Sequence, residues 1–308
     1  MNATPLIALQ HLQGIGPKTT LKVASEVPSD LIEFKDYVEL KFSCGEQEAL
    51  RAWDQARQIM DGCEELDISP VAVTDEDRYP ERLHSLQAEK PPVLYIKGSI
   101  DSVQYNSEVI AIVGTRNPTE NGIRTAYDFG RVAAENHIPV VSGLAYGCDA
   151  HGHQGCLEYG GIAIAVMAHG LDTVYPLDHQ KLAYQIVEEN GCLVSEYPPG
   201  TKSAKWSFVA RDRLQSGLSD IVIVIQTGKQ GGTHHTAKFA QKQGRKILCV
   251  RPRASESDHA SVQGTYDIVR NRDAEWIENP EDLLPGINGK NGPSDRVNRE
   301  VRQLEIEF

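Results

Sequence analysis

Apolar residues recur at helical spacing along the first 66 positions. Leu6, Leu9 and Leu12 mark one short segment, Gly14-Ile15-Gly16-Pro17 breaks it, and Leu21 and Val23 resume the pattern. That predicts helix, tight turn, helix. The run "EQEALRAWDQARQIMDGCEEL" continues the helical period to about Leu66. "KPPVLYIKG" then reads as a strand after a Pro-Pro stop. From Val109 onward the pattern changes to short, near-continuous apolar runs: "VIAIVG", "VVSGLA", "IAIAVM", "CLVSEY", "DIVIVIQ" and "KILCV". Amphipathic stretches separate them. Strands apolar on both faces, alternating with helices, predict a parallel sheet covered on both sides. The expected fold class is α/β: an extended Rossmann-like, doubly wound, mostly parallel sheet behind a small all-α domain. The expected boundaries are 1–68 for the helical domain, 69–284 for the sheet domain and 285–308 for a flexible tail, with a peripheral strand and helix in "GTYDIVRNRDAEWIENPEDLL".

Composition narrows the class. The N-terminus has no basic flank or long apolar run, and no stretch approaches a membrane span of about 18 apolar residues. The six cysteines are scattered without a CxxC, which fits a reducing, cytoplasmic setting and no membrane partner. The net charge of −12 argues against a polyanion partner, but its distribution does not. Residues 201–251 carry ten Lys and Arg against Asp212 and Asp220, a local basic face on an acidic protein.

The stretch "YGCDAHGHQGC" holds Cys148, His151, His153 and Cys156 and raises the question of a metal. On a helix at about 100° per residue, His151 and His153 fall on nearly opposite sides, so the four cannot converge on one tetrahedral ion. The stretch reads better as a loop-to-helix junction, with Gly143 and Gly147 permitting the turn and Asp149 capping the helix. Doubly wound sheets place ligands at such strand-end junctions. Three loops there carry glycine: Gly114 to Gly122, Ser142 to Ala145, and Gly228 to Thr233 directly before a helix. The first lacks GxGxxG, which disfavours NAD. Together, glycines, hydroxyls and a helix N-terminus form a cradle for phosphate. Gly14-Ile15-Gly16-Pro17-Lys18 reads either as a helix-hairpin-helix loop approaching a DNA phosphate or as a plain helix–helix turn.

The motifs "AIVGTR", "VVSGLAYGCDAHGHQG", "GLDTVYP", "SEYPPG" and "FVARDRLQSGLSD" resemble the DprA/Smf family of DNA-processing proteins, from about residue 79 to 284. The resemblance puts the family's Asp-Ala and His at Asp149, Ala150 and His153, with no metal and no cofactor. It implies a non-enzymatic protein that binds single-stranded DNA, loads a RecA-type recombinase on it in natural transformation, and forms a homodimer. By position it implies DNA contacts at Arg116, Lys205, Phe208, Arg211 and Arg213, with Trp206 as a second stacking ring or a core residue. The candidate phosphate cradle adds Ser142, Gly143, Gly231, Gly232, Thr233, Thr236 and Lys238. Two departures stand out: Arg211-Asp212-Arg213 where the family reads Arg-Asn-Arg, and Gly-Gly-Thr-His-His-Thr-Ala at 231–237 where it reads Ser-Gly-Ser with a later Thr-Ala. The length beyond 284 leaves no room for the winged-helix domain many members carry.

Two rival readings share the fold. One is a non-catalytic sensor of a nucleotide second messenger in phage defence. The other is a LOG-type nucleotide phosphoribohydrolase, whose Pro-Gly-Gly-x-Gly-Thr loop is similar to Gly231-Gly232-Thr233. That enzyme needs an acid just after its Thr, where this chain has His234, His235 and Thr236.

Overall fold

The computed structural model describes residues 3–106 and 108–283. Four helices open the chain: α1 (Thr4–Gln10), α2 (Pro17–Val23), α3 (Leu31–Phe42) and α4 (Glu46–Glu65). Asp30 caps α3 by accepting from the Ile32 and Glu33 N–H groups. Phe34 and Trp53, with ring centroids 5.0 Å apart, centre this module, and its buried residues are continuous with the core of the sheet. The expected tail at 285–308 lies outside the described residues.

The sheet strands are β1 (Ser69–Ala72), β2 (Val93–Gly98), β3 (Ile110–Val113), β4 (Val140–Ser142), β5 (Ala163–Val166), β6 (Cys192–Ser195), β7 (Ile221–Val224), β8 (Lys246–Val250) and β9 (Ala274–Ile277). Helices α6 (Glu120–Glu135), α7 (Cys148–Glu158), α8 (Gln180–Glu188), α9 (Lys205–Gly217), α10 (Thr233–Lys242) and α11 (Gln263–Asn271) connect the parallel strands, after a short α5 (Asp101–Tyr105). The order across the sheet is β1-β2-β6-β5-β4-β3-β7-β8-β9. Strands β3 to β9 run parallel to one another, and β2 pairs antiparallel with β6. Every residue of β3, β5, β6 and β7 is buried, as both-face coverage requires. The mixed, mostly parallel sheet is thus the Rossmann-like architecture the apolar runs imply. β1, in "ISPVAV", and the 3₁₀ segment Glu81–Glu89 carry no strong period and escape a sequence reading.

The topology fixes where a ligand can enter. From β3 the chain steps to β4, β5 and β6 on one side and then returns to place β7 on the other flank of β3. The loops leaving β3 and β7 therefore diverge and open a crevice at the carboxyl edge, the switch point of the sheet.

The opposite edge is closed by charge. Asp220 accepts from the Val109 N–H at 2.9 Å and from Arg82 Nε at 3.1 Å, with Arg245 at 3.8 Å. Arg245 in turn donates to the carbonyls of Arg82 and Gly217 at 2.9 and 3.0 Å. This clips the 3₁₀ segment to the sheet. Asp220→Ala should cost about 2–3 kcal/mol in urea unfolding, below the 3–5 of a fully buried pair because the Asp220 side chain is 29% exposed. Asp220→Asn, which keeps an acceptor, should cost less.

Candidate functional site

An open cavity of about 370 Å³ occupies the crevice between the β3 and β7 loops. Gly114, Thr115 and Arg116 line it from one side, and Gly231, Gly232, Thr233, His235 and Thr236 from the other. Helix α9 supplies the remaining wall through Phe208, Val209, Arg211, Asp212 and Gln215. Phe208, Arg211, Asp212 and Gln215 follow the i, i+3, i+4, i+7 stripe of one helical face, with Val209 at its margin, since residues about 100° apart per step return to the same side.

That periodicity corrects the expectation for Arg213. Residues 211 and 213 stand about 200° apart on a helix, so the Arg-x-Arg pair cannot face one ligand. Arg213 turns to the far side, where it makes a two-pronged ion pair with Glu196 at 2.6 and 2.7 Å and donates to the Glu89 carbonyl at 2.9 Å. With both side chains only 12–13% exposed, this is a structural ion pair. The Gly16–Thr19 loop of the helical hairpin borders a groove on that same far side, with Arg213, Glu196 and Phe239.

Arg211 is buried in the cavity wall at 5% exposure. Its Nη1 comes so close to Gly143 that a Cβ there would lie 1.5 Å away, which is why no larger residue fits. The Gln215 amide, oriented by its neighbours, accepts from Arg211 Nη1 and the Gly143 N–H, each at 2.7 Å, and donates to Asp212 at 3.1 Å. Asp149 does not cap α7 as expected. Gly147, at φ +77°, takes the N-cap position, and the Asp149 carboxylate turns back to accept from the Gly143 and Ala145 N–H groups at 3.2 and 3.4 Å. So the Gly143 N–H, expected to face a phosphate, is already occupied. Ser142 is corrected likewise: its buried hydroxyl donates to the Ile112 carbonyl at 2.6 Å and ties β4 to β3.

The other expected residues fall into two groups. Gly231, Gly232, Thr233 and Thr236 line the cavity as the cradle pattern suggests, while His234 turns aside to the Gly228 carbonyl at 3.1 Å. Lys205 and Lys238 are exposed and stand off the cavity lining. At the mouth, the exposed Arg116 guanidinium lies 5.5 Å from the centre of the half-buried Phe208 ring, and Tyr175 packs on the other contact of that ring at 5.8 Å. Trp206 is 65% exposed against Tyr197, so it is no core residue. Gln215, His235 and Tyr175 escaped the sequence reading. The α9 stripe would have found Gln215, and "GLDTVYP" already contained Tyr175.

Of the residues in the Cys/His stretch, Cys148 and Cys156 are buried on α7, and His153 is fully buried with neither ring nitrogen bonded among the described residues. Burial, with help from His179 and Arg211, lowers its pKa to about 3, so the ring is neutral. The described residues contain no group of three or more His, Cys, Asp or Glu arranged for a metal ion. Nor, among them, is any helix long and apolar enough to cross a membrane.

Two carboxylates share this wall. Desolvation raises the pKa of Asp149, opposed by Arg211. Desolvation also raises that of Asp212, to about 7, with Arg211 and Arg116 opposing and Asp149 reinforcing the shift.

Fold and site together define a doubly wound α/β protein with a glycine- and hydroxyl-lined cavity at the switch point of its sheet, edged by an arginine on an aromatic ring. The chain belongs to the DNA recombination-mediator protein A family, whose model matches residues 70–288. It is 34% identical to Protein Smf of Synechocystis over 69% of this chain and 52% of that protein. It is 32% identical to DNA processing protein DprA of Bacillus subtilis over 69% of this chain and 70% of that one. It spans about half the length of the Synechocystis relative and of the Mycobacterium tuberculosis proteins it matches. The X-ray structure of DNA processing protein A from Streptococcus pneumoniae shares the fold, with a TM-score of 0.75 at 24% identity over 92% of this chain and 98% of that one. That of Helicobacter pylori, described for its single-stranded DNA binding mode, superposes with a TM-score of 0.64 at 27% identity over 73% of this chain and 97% of that one.

The Asp212 shift has a sign. Its folded pKa lies above the unfolded value of 3.8, so the native state holds more protons between pH 4 and 7, and stability falls as pH rises through that window. Asp212→Asn mimics the protonated form. Its stability relative to wild type should therefore rise from pH 4 to 7 and level off above, as measured by urea unfolding at each pH. A constant difference across that range would show that Asp212 ionises normally. Arg213→Met, which keeps the aliphatic stem but strands Glu196, should cost about 3–5 kcal/mol in the same assay.

Proposed function

We propose that this protein binds single-stranded DNA, without sequence preference, at the carboxyl edge of its sheet and hands the strand to a RecA-type recombinase, as in natural transformation. The observation that carries the reading is the Arg116–Phe208 pair at the mouth of a glycine- and hydroxyl-lined cavity. Arginine neutralises a phosphate while the ring offers a face to a base. Membership of the family and the single-strand binding described for the Helicobacter pylori protein support it. Lys205, one turn before Phe208 on α9, adds a second cation on the same helical face.

The protein acts by binding, not catalysis. Both cavity carboxylates are committed: Asp149 to the Gly143 and Ala145 N–H groups, Asp212 to Gln215 and to Arg211 Nε at 3.6 Å. Both are engaged within the protein, and His234 follows Thr233 where a phosphoribohydrolase needs an acid. A second reading, a sensor of a nucleotide, draws on the cavity volume, which lies within the range of small-ligand sites.

Titration of labelled oligonucleotides should show salt-dependent binding, tighter for single strands than for duplex. Arg116→Ala and Lys205→Ala should weaken binding to every sequence and flatten the salt slope by about 0.7 per lost phosphate contact. Phe208→Ala should cost about 1–3 kcal/mol with the slope unchanged, and its melting temperature must stay near wild type for that loss to count as stacking. Wild-type protein should also speed recombinase assembly on a strand already coated by a single-strand-binding protein. Tight binding of free nucleotides with none of oligonucleotides would replace this reading with the sensor.

A further inference from the structure

Beyond Phe208 the aromatic surface continues. Tyr175 lies 5.8 Å from Phe208 and is 49% exposed. Tyr146 is 43% exposed and packs on Asp178 and His179, in the turn that follows Tyr175. The Tyr146 ring is fixed in place. Tyr146 packs edge-on against His179 at 4.8 Å and donates its hydroxyl to Asp178 at 2.6 Å, and His179 Nδ1 is held 2.7 Å from the Leu144 carbonyl. Aromatic rings tethered in place and still half exposed are preorganised contact area, since little rotamer freedom remains to lose on binding.

These rings lead outward from the cavity mouth. Arg116 stacks on Phe208, Phe208 meets Tyr175, and Tyr146 is held on the turn that follows Tyr175. Cation lies at the cavity end, and ring faces lead away from it. A strand whose phosphate sits by Arg116 and whose base covers Phe208 has its next bases over Tyr175 and Tyr146. We propose that Tyr175 and Tyr146 form a stacking ledge that takes two further bases of a single strand beyond the one at Phe208. The inference rests on the single-strand reading above. It adds an extent and a direction to the site, along the carboxyl ends of β4 and β5 and away from β7.

The test is length dependence. Wild type, Tyr175→Ala, Tyr146→Ala, Tyr175→Phe and Tyr146→Phe are titrated with (dT)2 and (dT)8 over a range of salt, with melting temperatures measured alongside. Tyr105→Ala, 74% exposed on α5, is the surface control. Each alanine variant should bind (dT)8 about tenfold more weakly, the affinity change expected of one lost stacked base. Its salt slope should stay at wild type, Tyr146→Ala should also keep wild-type affinity for (dT)2, whose second base reaches only Tyr175, and both phenylalanine variants should keep full affinity. Unchanged (dT)8 binding in both alanine variants overturns the ledge. So does an equal loss on (dT)2 and (dT)8 in Tyr146→Ala, which would mean the cavity itself had been disturbed. So does a loss of self-association in sedimentation without a loss of (dT)8 affinity, which would make the patch a contact between copies of this chain. Wild-type protein that binds neither oligonucleotide refutes the single-strand reading itself, a result distinct from all three.

Discussion

The site depends on one close approach: the Arg211 guanidinium occupies the space where any residue but glycine at 143 would carry its Cβ. A buried guanidinium is costly unless its charge and its donors are met. Here Asp149 and Asp212 offset the charge and the Gln215 amide accepts from Nη1, while Nε, 3.6 Å from Asp212, has no hydrogen-bond partner among the described residues. The same groups hold the loop after β4, because Asp149 and Gln215 both take the Gly143 N–H. Helix α9 is thus fixed against the sheet edge by its middle. Its first turn, with Lys205 and Phe208, is left to project at the cavity mouth. The arginine that looked like a ligand is the anchor that aims the residues proposed as ligands.

This division was half legible. Apolar runs gave each parallel strand from β3 to β8, because strands buried on both faces leave an unmistakable period. The glycine-rich loops after β3 and β7 pointed to the edge where the cavity lies. Helical geometry, applied to the Cys/His stretch to exclude convergence, was not applied to Arg211 and Arg213, where it separates the two. Asp149 was seen as polar and near a helix start, and the usual role of such a residue is a cap. Its actual role depends on a backbone turn at Gly147 that brings the Gly143 and Ala145 amides to it, and no local pattern encodes that. The 3₁₀ segment at 81–89 is held by long-range ties, such as Arg82 to Asp220, that sequence periodicity cannot show.

Asp212 is the residue that sets this chain apart from the Arg-Asn-Arg pattern. Asparagine there would offer the hydrogen bonds without the charge. With aspartate, the wall holds two carboxylates against one buried arginine and one exposed arginine, which is why desolvation prevails and Asp212 titrates near neutrality. The positive charge of Arg211 is therefore largely consumed within the protein. What remains to attract a polyanion at the mouth is Arg116, with the exposed Lys205 one turn along α9 from Phe208.

A chain of net charge −12 with two outward cations at its site cannot hold a strand by phosphate neutralisation alone. Screening within about 8 Å at physiological salt confines the repulsion from the acidic helical module, but it also limits what the basic 201–251 segment contributes from a distance. The balance must come from contacts that do not depend on charge. Phe208, with the exposed faces of Tyr175 and Tyr146 beyond it, supplies them. Stacking of that kind needs a base with an open face. A duplex keeps its base faces against one another, so it could offer this site only phosphates, the part the protein is least equipped to bind. If the strand binds as proposed, preference for single strands follows from scarcity of charge as much as from abundance of rings.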